Sequence, residues 1–274
     1  MVLFRPASPV EGTAMPESTI PIRAAFFRPW PGTIPAPLDL TGEELREHGA
    51  VGLSGLVSRQ SVLTAARALT TGLRQHRDAD RDGLTAIQDT GRHPGRIGYA
   101  GLGRTPLSLH TDGTHDPSPP RLLILACLRP GQAGGRTVLA DGSAVLRELL
   151  ALRPEAAAAL TAARAAYFGG PDGRFSPVLE QTASGAWRIQ LRQDELARFA
   201  PDTQPHLAVL RQLISSQSMS VTLGPGQAVV LDNHRVLHGR TGFTGRRLLL
   251  RALGDAHPHL RLGHGFMLPV SSPR

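Results

Sequence analysis

The feature of this sequence that most constrains its fold is a set of short apolar segments closed by glycine and proline. Residues 121–128 carry a nearly continuous apolar run that Arg-Pro-Gly closes, a pattern typical of a buried strand. Residues 219–223 alternate in polarity, and the turn at 224–226 leads into a further apolar strand at 228–231. Residues 247–253 are another strand candidate. These segments predict a mainly β protein with a double-stranded β-helix (jelly-roll) core and flanking helices.

Three segments outside these strands are predicted to be helical. Ordered structure is expected to begin near Leu38, where the run Thr41-Gly-Glu-Glu resembles a helix start with acidic side chains in its first turn. Apolar residues at helical spacing predict a second helix over residues 58–77 and a third over 142–166. The third helix is expected to break at Pro154, because proline removes a backbone donor and clashes with the preceding turn.

Proline is concentrated at the N-terminus. Residues 1–36 are therefore predicted to form an extended or disordered arm, with Met15 as an alternative start, and residues 37–274 to form a single domain. The opening residues lack the basic start and apolar block of a secretory signal. No stretch approaches the roughly 20 apolar residues that cross a bilayer. A cytoplasmic protein is the simplest interpretation.

The charge pattern argues against a nucleic-acid partner. The formal net charge is +8, which would ordinarily suggest such a partner. All 30 basic residues are arginine, however, and they are scattered, with no dense run and no interleaved aromatic residues. We therefore expect a small-molecule substrate rather than nucleic acid.

Missing residue types exclude whole classes of chemistry. The absence of lysine excludes lysine Schiff bases and the Walker phosphate loop. The single cysteine, Cys127, lies in an apolar run and is expected to be a buried hydrophobe, which excludes intrachain disulfides and Cys-rich zinc or iron–sulfur sites. Histidine, carboxylate and arginine remain as the carriers of chemistry.

A His-X-Asp sequence offers a candidate metal site. In an extended chain residues two apart point to the same side, so His110 and Asp112 can both reach one point. Alone, this spacing is a weak signal. His238, directly after a strong apolar strand, would complete the two-histidine, one-carboxylate set that Fe(II) takes in a facial triad. Such a triad leaves three adjacent coordination positions, two for a bidentate 2-oxo acid and one for dioxygen.

Four motifs in order carry a family resemblance. They are His110-Thr-Asp112, Gly134-Gly-Arg-Thr137, Asp232-Asn-His-Arg-Val-Leu-His238-Gly-Arg240 and Gly245-Arg-Arg-Leu248. With these motifs the sequence resembles the taurine dioxygenase (TauD/TfdA) and clavaminate synthase-like family of Fe(II)- and 2-oxoglutarate-dependent oxygenases, over roughly residues 95–255.

The resemblance implies roles for particular residues. Thr137 and Arg247 match the positions that hold the far carboxylate of 2-oxoglutarate, and a guanidinium suits a carboxylate because it donates two charge-assisted hydrogen bonds. Arg251, on the same side of a strand as Arg247, resembles an arginine that contacts the substrate or the oxo-acid end of the cosubstrate. His110, Asp112 and His238 would hold Fe(II).

The resemblance also implies a reaction. O2 and 2-oxoglutarate are expected to be consumed, with succinate and CO2 as coproducts, while an unactivated C–H bond is hydroxylated, or the substrate is desaturated or cyclised. The carboxylate at Asp112 favours these outcomes over halogenation. The expected substrate is a small molecule, specifically an amino acid or an amino-acid-derived natural-product intermediate.

Alternatives remain open at this stage. A non-catalytic, cupin-like metal-binding protein would explain the triad, though not Thr137 and Arg247. His234 and His238 would form a zinc pair if their segment were helical. His115 and Asp116 are candidates for the substrate edge, and Asp232 and Asn233 for shaping the turn before His238. Residues 169–174 are a candidate mobile lid. Seven further residues are candidates for the substrate pocket: Gln88, Tyr99, Arg104, Tyr167, Asp172, Arg174 and Phe175.

Overall fold

The computed structural model describes residues 27–30 and 37–268. Strands outnumber helices among these residues, as expected for a mainly β protein. The α-helices are α1 (Pro37–His48), α2 (Arg59–Leu69), α3 (Gly142–Leu152), α4 (Pro154–Thr161) and α5 (Leu207–Ser216). The strands are β1 (Phe27–Pro29), β2 (Ala50–Ser54), β3 (Thr70–Leu73), β4 (Thr85–Ile87), β5 (Leu107–His110), β6 (Leu122–Arg129), β7 (Ala133–Gly134), β8 (Thr137–Asp141), β9 (Ala166–Phe168), β10 (Arg174–Ser176), β11 (Leu179–Gln181), β12 (Trp187–Ile189), β13 (Ala197–Phe199), β14 (Ser218–Val221), β15 (Ala228–Asp232), β16 (Val236–Arg240), β17 (Phe243–Thr244) and β18 (Leu248–Ala256).

Two sheets form the centre of the fold. In the described part of the chain, the larger sheet has the order β1-β2-β15-β6-β18-β3, and β4 also pairs with β18. The smaller sheet has the order β14-β8-β16-β5. All these pairs are antiparallel except β1 with β2. The strands predicted at 121–128, 219–223, 228–231 and 247–253 correspond to β6, β14, β15 and β18.

The buried faces of β6 explain how the sheets stack. Successive side chains of a strand point to opposite faces. The even-numbered residues 122–126 pack with α2 in an outer core, and the odd-numbered residues 123–127 pack into a central core. The central core also contains residues from three strands of the smaller sheet, namely Leu139, Val221 and Val236. The two sheets therefore face each other across it.

The central core also determines where polar side chains can meet. Residues two apart on a strand share a face. Three candidate site residues are each two positions from a central-core residue: Thr137 from Leu139, His238 from Val236, and Arg251 from Leu249. These three polar residues therefore lie on the facing surfaces of the two sheets. The opposite face of the smaller sheet is covered by α3, α4 and α5 in a third core, which includes Ala140 and Leu237.

The second predicted helix ends earlier than expected. Ser58 caps α2 through a reciprocal hydrogen-bonded pair with Ser61, but the helix stops at Leu69 rather than continuing to residue 77. The hydroxyl of Thr70 donates to the carbonyl of Ala66 at 2.8 Å, and residues 70–73 pair with β18 as strand β3. The β-branched pair Thr70-Thr71 is compatible with extended backbone, and its pairing with β18 ends the helix in spite of the helical spacing.

The third predicted helix is broken at the expected place. α3 ends at Leu152, and α4 begins at Pro154, whose missing N–H suits the first turn of a helix. The second half is shorter than predicted, because residues 166–168 form β9. Cys127 is buried, as expected.

The predicted N-terminal arm lies mostly outside the described residues. Within it, residues 27–29 form β1, a short parallel strand beside β2. The division into an arm and a single domain therefore stays a prediction. Within the described ranges, the helices are all too short or too polar to cross a membrane.

Candidate metal centre

Two neighbouring strands of the smaller sheet bring the predicted metal ligands together. His110 ends β5 and pairs directly with His238 of β16, and Asp112 follows two residues after His110. Nε2 of His110 lies 3.7 Å from Oδ1 of Asp112, and Nε2 of His238 lies 3.9 Å from Oδ2. One donor atom from each residue lies within 4.8 Å of the other two, a spacing that one ion could bridge.

The protonation states of these groups suit metal binding. Burial lowers the pKa of His238 to about 3, and the neighbouring His110 adds to the effect. Burial alone would raise the pKa of Asp112, but the positive charge of Arg251 and then the two histidines hold it well below its usual range. At neutral pH His238 is therefore a neutral imidazole and Asp112 a carboxylate, which are the forms that ligate metals.

Hydrogen bonds fix the orientation of two of the three groups. Nδ1 of His110 lies 2.8 Å from the carbonyl oxygen of Ser108, which leaves Nε2 directed at Asp112. The side chain of Asn233 grips Asp112 at the backbone: its Oδ1 accepts from Asp112 N at 2.9 Å, and its Nδ2 donates to the carbonyl of Asp112 at 2.9 Å. Nδ2 also donates to the carbonyl of Pro120 at 2.9 Å. Such outer partners orient metal ligands.

Asn233 belongs to a turn, residues 232–235, whose four side chains are all buried. Asp232 accepts from Arg121 at 2.7 Å, and Arg235 donates to both oxygens of Asp141 at 2.8 Å. The turn joins β15 to β16, so it carries the chain from the larger sheet to His238. The prediction that Asp232 and Asn233 shape this turn agrees with these contacts.

His234 is not part of the candidate metal site. The segment is a turn followed by a strand, so the helical zinc pair of His234 with His238 does not form. Nε2 of His234 lies 3.1 Å from the carbonyl oxygen of Pro119. Burial, and then the charge of Arg121, lowers its pKa to about 3.

Arg251 lies at the metal end of the site. Its Nη1 approaches Oδ2 of Asp112 at 3.2 Å and Oδ1 at 3.5 Å. His76 was not predicted as a site residue, but the charges of Arg251 and Asp112 both affect its pKa. Burial and then the charge of Arg251 lower the pKa of His76 to about 4, and the charge of Asp112 acts to raise it. No motif in the sequence signals His76, because it comes from a loop far from the other site residues along the chain.

Arg247 lies in a different environment. It is 6% exposed, and its guanidinium makes no hydrogen bond or ion pair with any residue that the structure describes. Its guanidinium carbon lies 5.5 Å from the centre of the Phe243 ring. Burial lowers its pKa. It also lines a cavity of about 280 Å³ whose other walls include Gln88 and Arg104.

Arg247 lies against the chain just before Thr137. Thr137 is buried at the start of β8, opposite Arg240 of β16. Gly135, two residues earlier, has a φ of 71° and lies against Arg247: a Cβ at Gly135 would come within 3.0 Å of Cδ of that arginine. Glycine therefore allows both the backbone conformation and the close approach.

Arg240 has a structural role that the sequence did not reveal. It donates to the carbonyls of Gly101, Gly103 and Thr105 at 3.1, 2.8 and 2.8 Å. Burial lowers its pKa to about 10. Arg240 thus fixes the segment that leads into β5 and His110. The sequence feature that could have indicated this role is the position of Arg240 directly after His238-Gly239.

His115 and Asp116, the candidates beside the His-X-Asp motif, lie in a loop that hydrogen bonds hold in place. Asp116 accepts from Arg74 at 3.0 Å and from the backbone N–H of Ser118 at 2.8 Å. Arg174 donates to the carbonyl of Asp116 at 3.3 Å. Asp116 therefore holds its own loop, whereas His115 is exposed. The loop at 169–174 contacts this region, since a Cβ at Gly169 would come within 3.3 Å of Cβ of His115.

The other pocket candidates divide into three places. Gln88 and Arg104 line the cavity beside Arg247. Tyr99 stacks on His93 with ring centres 4.3 Å apart, and two further arginines cover its ring. Near the 169–174 loop, Asp172 is exposed, and Tyr167 and Phe175 meet edge to face with ring centres 5.1 Å apart.

Residues 31–253 match the family model described as "Taurine catabolism dioxygenase TauD, TfdA family". The chain belongs to the TauD/TfdA family. It is 28% identical over 272 residues to L-asparagine oxygenase of Streptomyces coelicolor, covering 86% of this chain and 79% of that protein. It is also 28% identical over 202 residues to uridine-5'-phosphate dioxygenase of a Streptomyces species, covering 67% and 73%.

Another relative is a longer protein. The chain is 28% identical over 162 residues to mitochondrial trimethyllysine dioxygenase of Gallus gallus, covering 52% of this chain and 39% of that protein. The chain therefore spans well under half the length of this relative. Among solved structures, asparagine oxygenase (AsnO) has a TM-score of 0.66 at 20% identity, covering 81% and 79%. The non-heme iron oxygenase OrfP has a TM-score of 0.64 at 17% identity, covering 81% and 80%. These two similarities establish a shared fold.

Proposed function

We propose that this protein is an Fe(II)- and 2-oxoglutarate-dependent dioxygenase that hydroxylates, or desaturates or cyclises, an unactivated C–H bond of a small molecule. The observation that carries the proposal is the convergence of His110, Asp112 and His238 within 4.8 Å, inside the span that matches the TauD/TfdA family. Two imidazoles and one carboxylate are the donor set of a non-haem iron facial triad.

The residues present fit Fe(II) as the resident metal. The Nε2 atoms of His110 and His238 both approach Asp112, and Asp112 is ionised. Bound Fe(II) would supply the activation of O2, coupled to oxidation of 2-oxoglutarate to succinate and CO2. The protein would orient the reactants and exclude water, and the central core beside the triad is apolar enough to do so.

We assign the far carboxylate of 2-oxoglutarate to Thr137 and Arg247. The support is physical, since a buried guanidinium without a countercharge is unfavourable until an anion pairs with it. Arg251, 3.2 Å from Asp112, is proposed to contact the oxo-acid end of 2-oxoglutarate or a substrate carboxylate. Its position near the metal ligand suits an anionic group bound close to the reacting atoms.

An amino acid or amino-acid-derived intermediate is the proposed substrate. The relatives include an L-asparagine oxygenase, and OrfP has been solved in complex with Fe, succinate and (3S)-hydroxy-L-Arg. An arginine beside the metal site suits the α-carboxylate of such a molecule. Neither nucleic acid nor a membrane is a proposed partner, and the cytoplasmic location stays a prediction from the sequence.

The proposed fold is a double-stranded β-helix formed by residues 37–274 as one domain. The support is the pair of facing antiparallel sheets with the candidate ligands on β5 and β16. A jelly roll of this kind places ligands from neighbouring strands inside the sandwich.

Anaerobic titration with Fe(II) and 2-oxoglutarate tests the metal and cosubstrate sites together. We expect a visible charge-transfer band only when both are present, because the band arises from the chelate. Arg247→Ala should raise the 2-oxoglutarate concentration needed for half the band about 10- to 100-fold, since one charge-assisted hydrogen-bonding group contributes about 1.5–3 kcal/mol.

His110→Ala, Asp112→Ala and His238→Ala should each abolish the band and the release of succinate while the circular dichroism spectrum is retained. Normal succinate release by any of the three would refute the ligand assignment. A protein that binds metal without forming the chelate band would instead support the cupin-like, non-catalytic alternative.

A further inference from the structure

Two adjoining cavities lead from the surface to Arg247. The outer cavity has a volume of about 550 Å³ and the inner one about 280 Å³. They share four wall residues, namely Arg104, Arg129, Gly245 and Arg246. Arg247 lines only the inner cavity. Because the walls are shared, an ion that approaches Arg247 through these cavities first passes the three other arginines.

The charges around these cavities are unbalanced. Arg104 is paired, since it donates to the carboxylate of Asp89. Arg129 and Arg246 are exposed, and the guanidinium of neither makes a hydrogen bond or ion pair with the residues described. Arg247, at the inner end, is buried and equally without a carboxylate partner in the described part of the chain. Four guanidinium groups thus face one carboxylate, and this excess favours an anionic ligand.

The cavities reach the opposite end of the candidate site from the metal. None of the three triad residues lines either cavity. Arg247 and Arg251 are four positions apart along one strand direction, which is about 13 Å at the rise of a β-strand. Arg251 contacts the metal ligand Asp112, whereas Arg247 faces the arginine-lined cavities. An anion that comes through the cavities therefore reaches Arg247 before Arg251.

We propose that these cavities are an arginine-lined port, formed by Arg104, Arg129, Arg246 and Arg247, through which dianionic 2-oxoglutarate enters and dianionic succinate leaves. This inference rests on the proposed function, because it takes Arg247 as the group that binds the far carboxylate. The exposed arginines raise the local concentration of dianions, and Arg247 then holds one of them. Clefts lined by one sign of charge speed the association of oppositely charged ligands by about 10- to 1000-fold.

A port affects the association rate of 2-oxoglutarate, whereas a binding site alone chiefly affects its dissociation rate. Arg129 and Arg246 lie along the path, so removing their charges should slow association of 2-oxoglutarate more than it changes dissociation. Stopped-flow mixing of the Fe(II)-loaded protein with 2-oxoglutarate, without O2, measures both rates from the chelate band. In the double variant Arg129→Gln/Arg246→Gln the association rate constant should fall about tenfold at about 10 mM ionic strength, where the Debye length is about 30 Å.

The matched control removes two exposed arginines elsewhere. Arg67→Gln/Arg147→Gln has the same net charge as the port variant, but its changes lie on α2 and α3. This control should associate with 2-oxoglutarate at nearly the wild-type rate. At about 1 M salt, where the Debye length is about 3 Å, the difference between the port variant and wild type should fall below about twofold.

Three outcomes would overturn the port. An unchanged association rate in the port variant, with a normal chelate band, removes the port but leaves the proposed function intact. Equal slowing in the control assigns the effect to net charge, and faster dissociation without slower association makes the two arginines part of the binding site itself. If wild type forms no chelate band at all, the proposed function fails and the port fails with it.

Discussion

Arg235 and Arg247 are both buried arginines, but their surroundings are opposite. Arg235 donates to both oxygens of Asp141 at 2.8 Å and to the carbonyls of Arg46 and Glu47 at 3.1 and 3.0 Å. Arg247 has no such partner among the described residues and faces a cavity. Burial of an arginine therefore does not identify a functional site. A buried charge without a partner is unfavourable, so Arg247 is the better candidate to bind an anionic ligand.

The same contrast separates the two arginines of the candidate site. Arg251 already has a carboxylate, Asp112, at 3.2 Å. Its charge helps to keep Asp112 ionised in spite of burial, which favours binding of a divalent cation. Arg247 would act on an anion directly. Two arginines four positions apart are thus suited to opposite ends of one bound dianion.

Removal of each buried arginine should change the free energy of unfolding by very different amounts. Arg235→Leu should lower the free energy of unfolding by about 3–5 kcal/mol, because it leaves the Asp141 carboxylate buried without its countercharge. Arg247→Leu should leave the free energy of unfolding unchanged or raise it, since it removes a buried charge without breaking a pair. Urea unfolding of the metal-free proteins at neutral pH measures both. Equal losses would mean that Arg247 has a structural partner, and the contrast would fail.

A smaller effect is expected at the turn of residues 232–235, which connects β15 to the strand of the candidate metal ligand His238. Asn233→Ala removes three hydrogen bonds of 2.9 Å, two to the backbone of Asp112 and one to Pro120. We expect metal affinity to fall about 10- to 100-fold, as is typical when a group that orients a ligand is lost. Titration with Co(II), followed by its visible absorption, measures the affinity.

Two further variants make the Asn233 result specific. Asn233→Asp retains the acceptor for Asp112 N but not the donor, so its affinity should lie between those of wild type and Asn233→Ala. Leu160→Ala, in the third core, should destabilise the protein by about 2–5 kcal/mol without changing Co(II) affinity. If Leu160→Ala weakens Co(II) binding as much as Asn233→Ala does, the effect is one of general stability.

Local patterns predicted the strands and the residues that meet, but not the surroundings of those residues. The apolar runs at 121–128 and 228–231 appear as β6 and β15, since their side chains had to be buried. His110, Asp112 and His238 meet as expected. By contrast, the helix predicted over 58–77 was too long, because pairing of residues 70–73 with β18 depends on a strand about 180 positions away. Spacing along the chain contains no information about such a partner.

The site was underpredicted for the same reason. Asn233 was expected to shape a turn, but its grip on the backbone of Asp112 depends on how the two sheets stack. His76 and Arg240 gained their positions through loops that only the folded chain brings together. The excess of arginine around Arg247 was likewise hidden, since Arg104, Arg129 and Arg246 come from three separate segments.

The smallest expected effect is on the pH dependence of stability, through His234 in the turn of residues 232–235. His234 has a pKa of about 3 in the folded protein, lowered chiefly by burial, against about 6.5 in the unfolded chain. Between these values the unfolded state binds the extra proton, so stability is lost as the pH falls from about 6.5 towards 3. One such group contributes a slope of about 1.4 kcal/mol per pH unit.

Unfolding in urea at pH values from 7 to 5 should reveal this contribution. In His234→Gln, whose amide can still donate to the carbonyl of Pro119, the slope should be shallower than in wild type by up to about 1.4 kcal/mol per pH unit. The proteins should be compared without metal, because a bound cation would compete with protons at His238. Identical slopes would mean that folding does not lower the pKa of His234, and the buried imidazole would then carry a positive charge at pH 5.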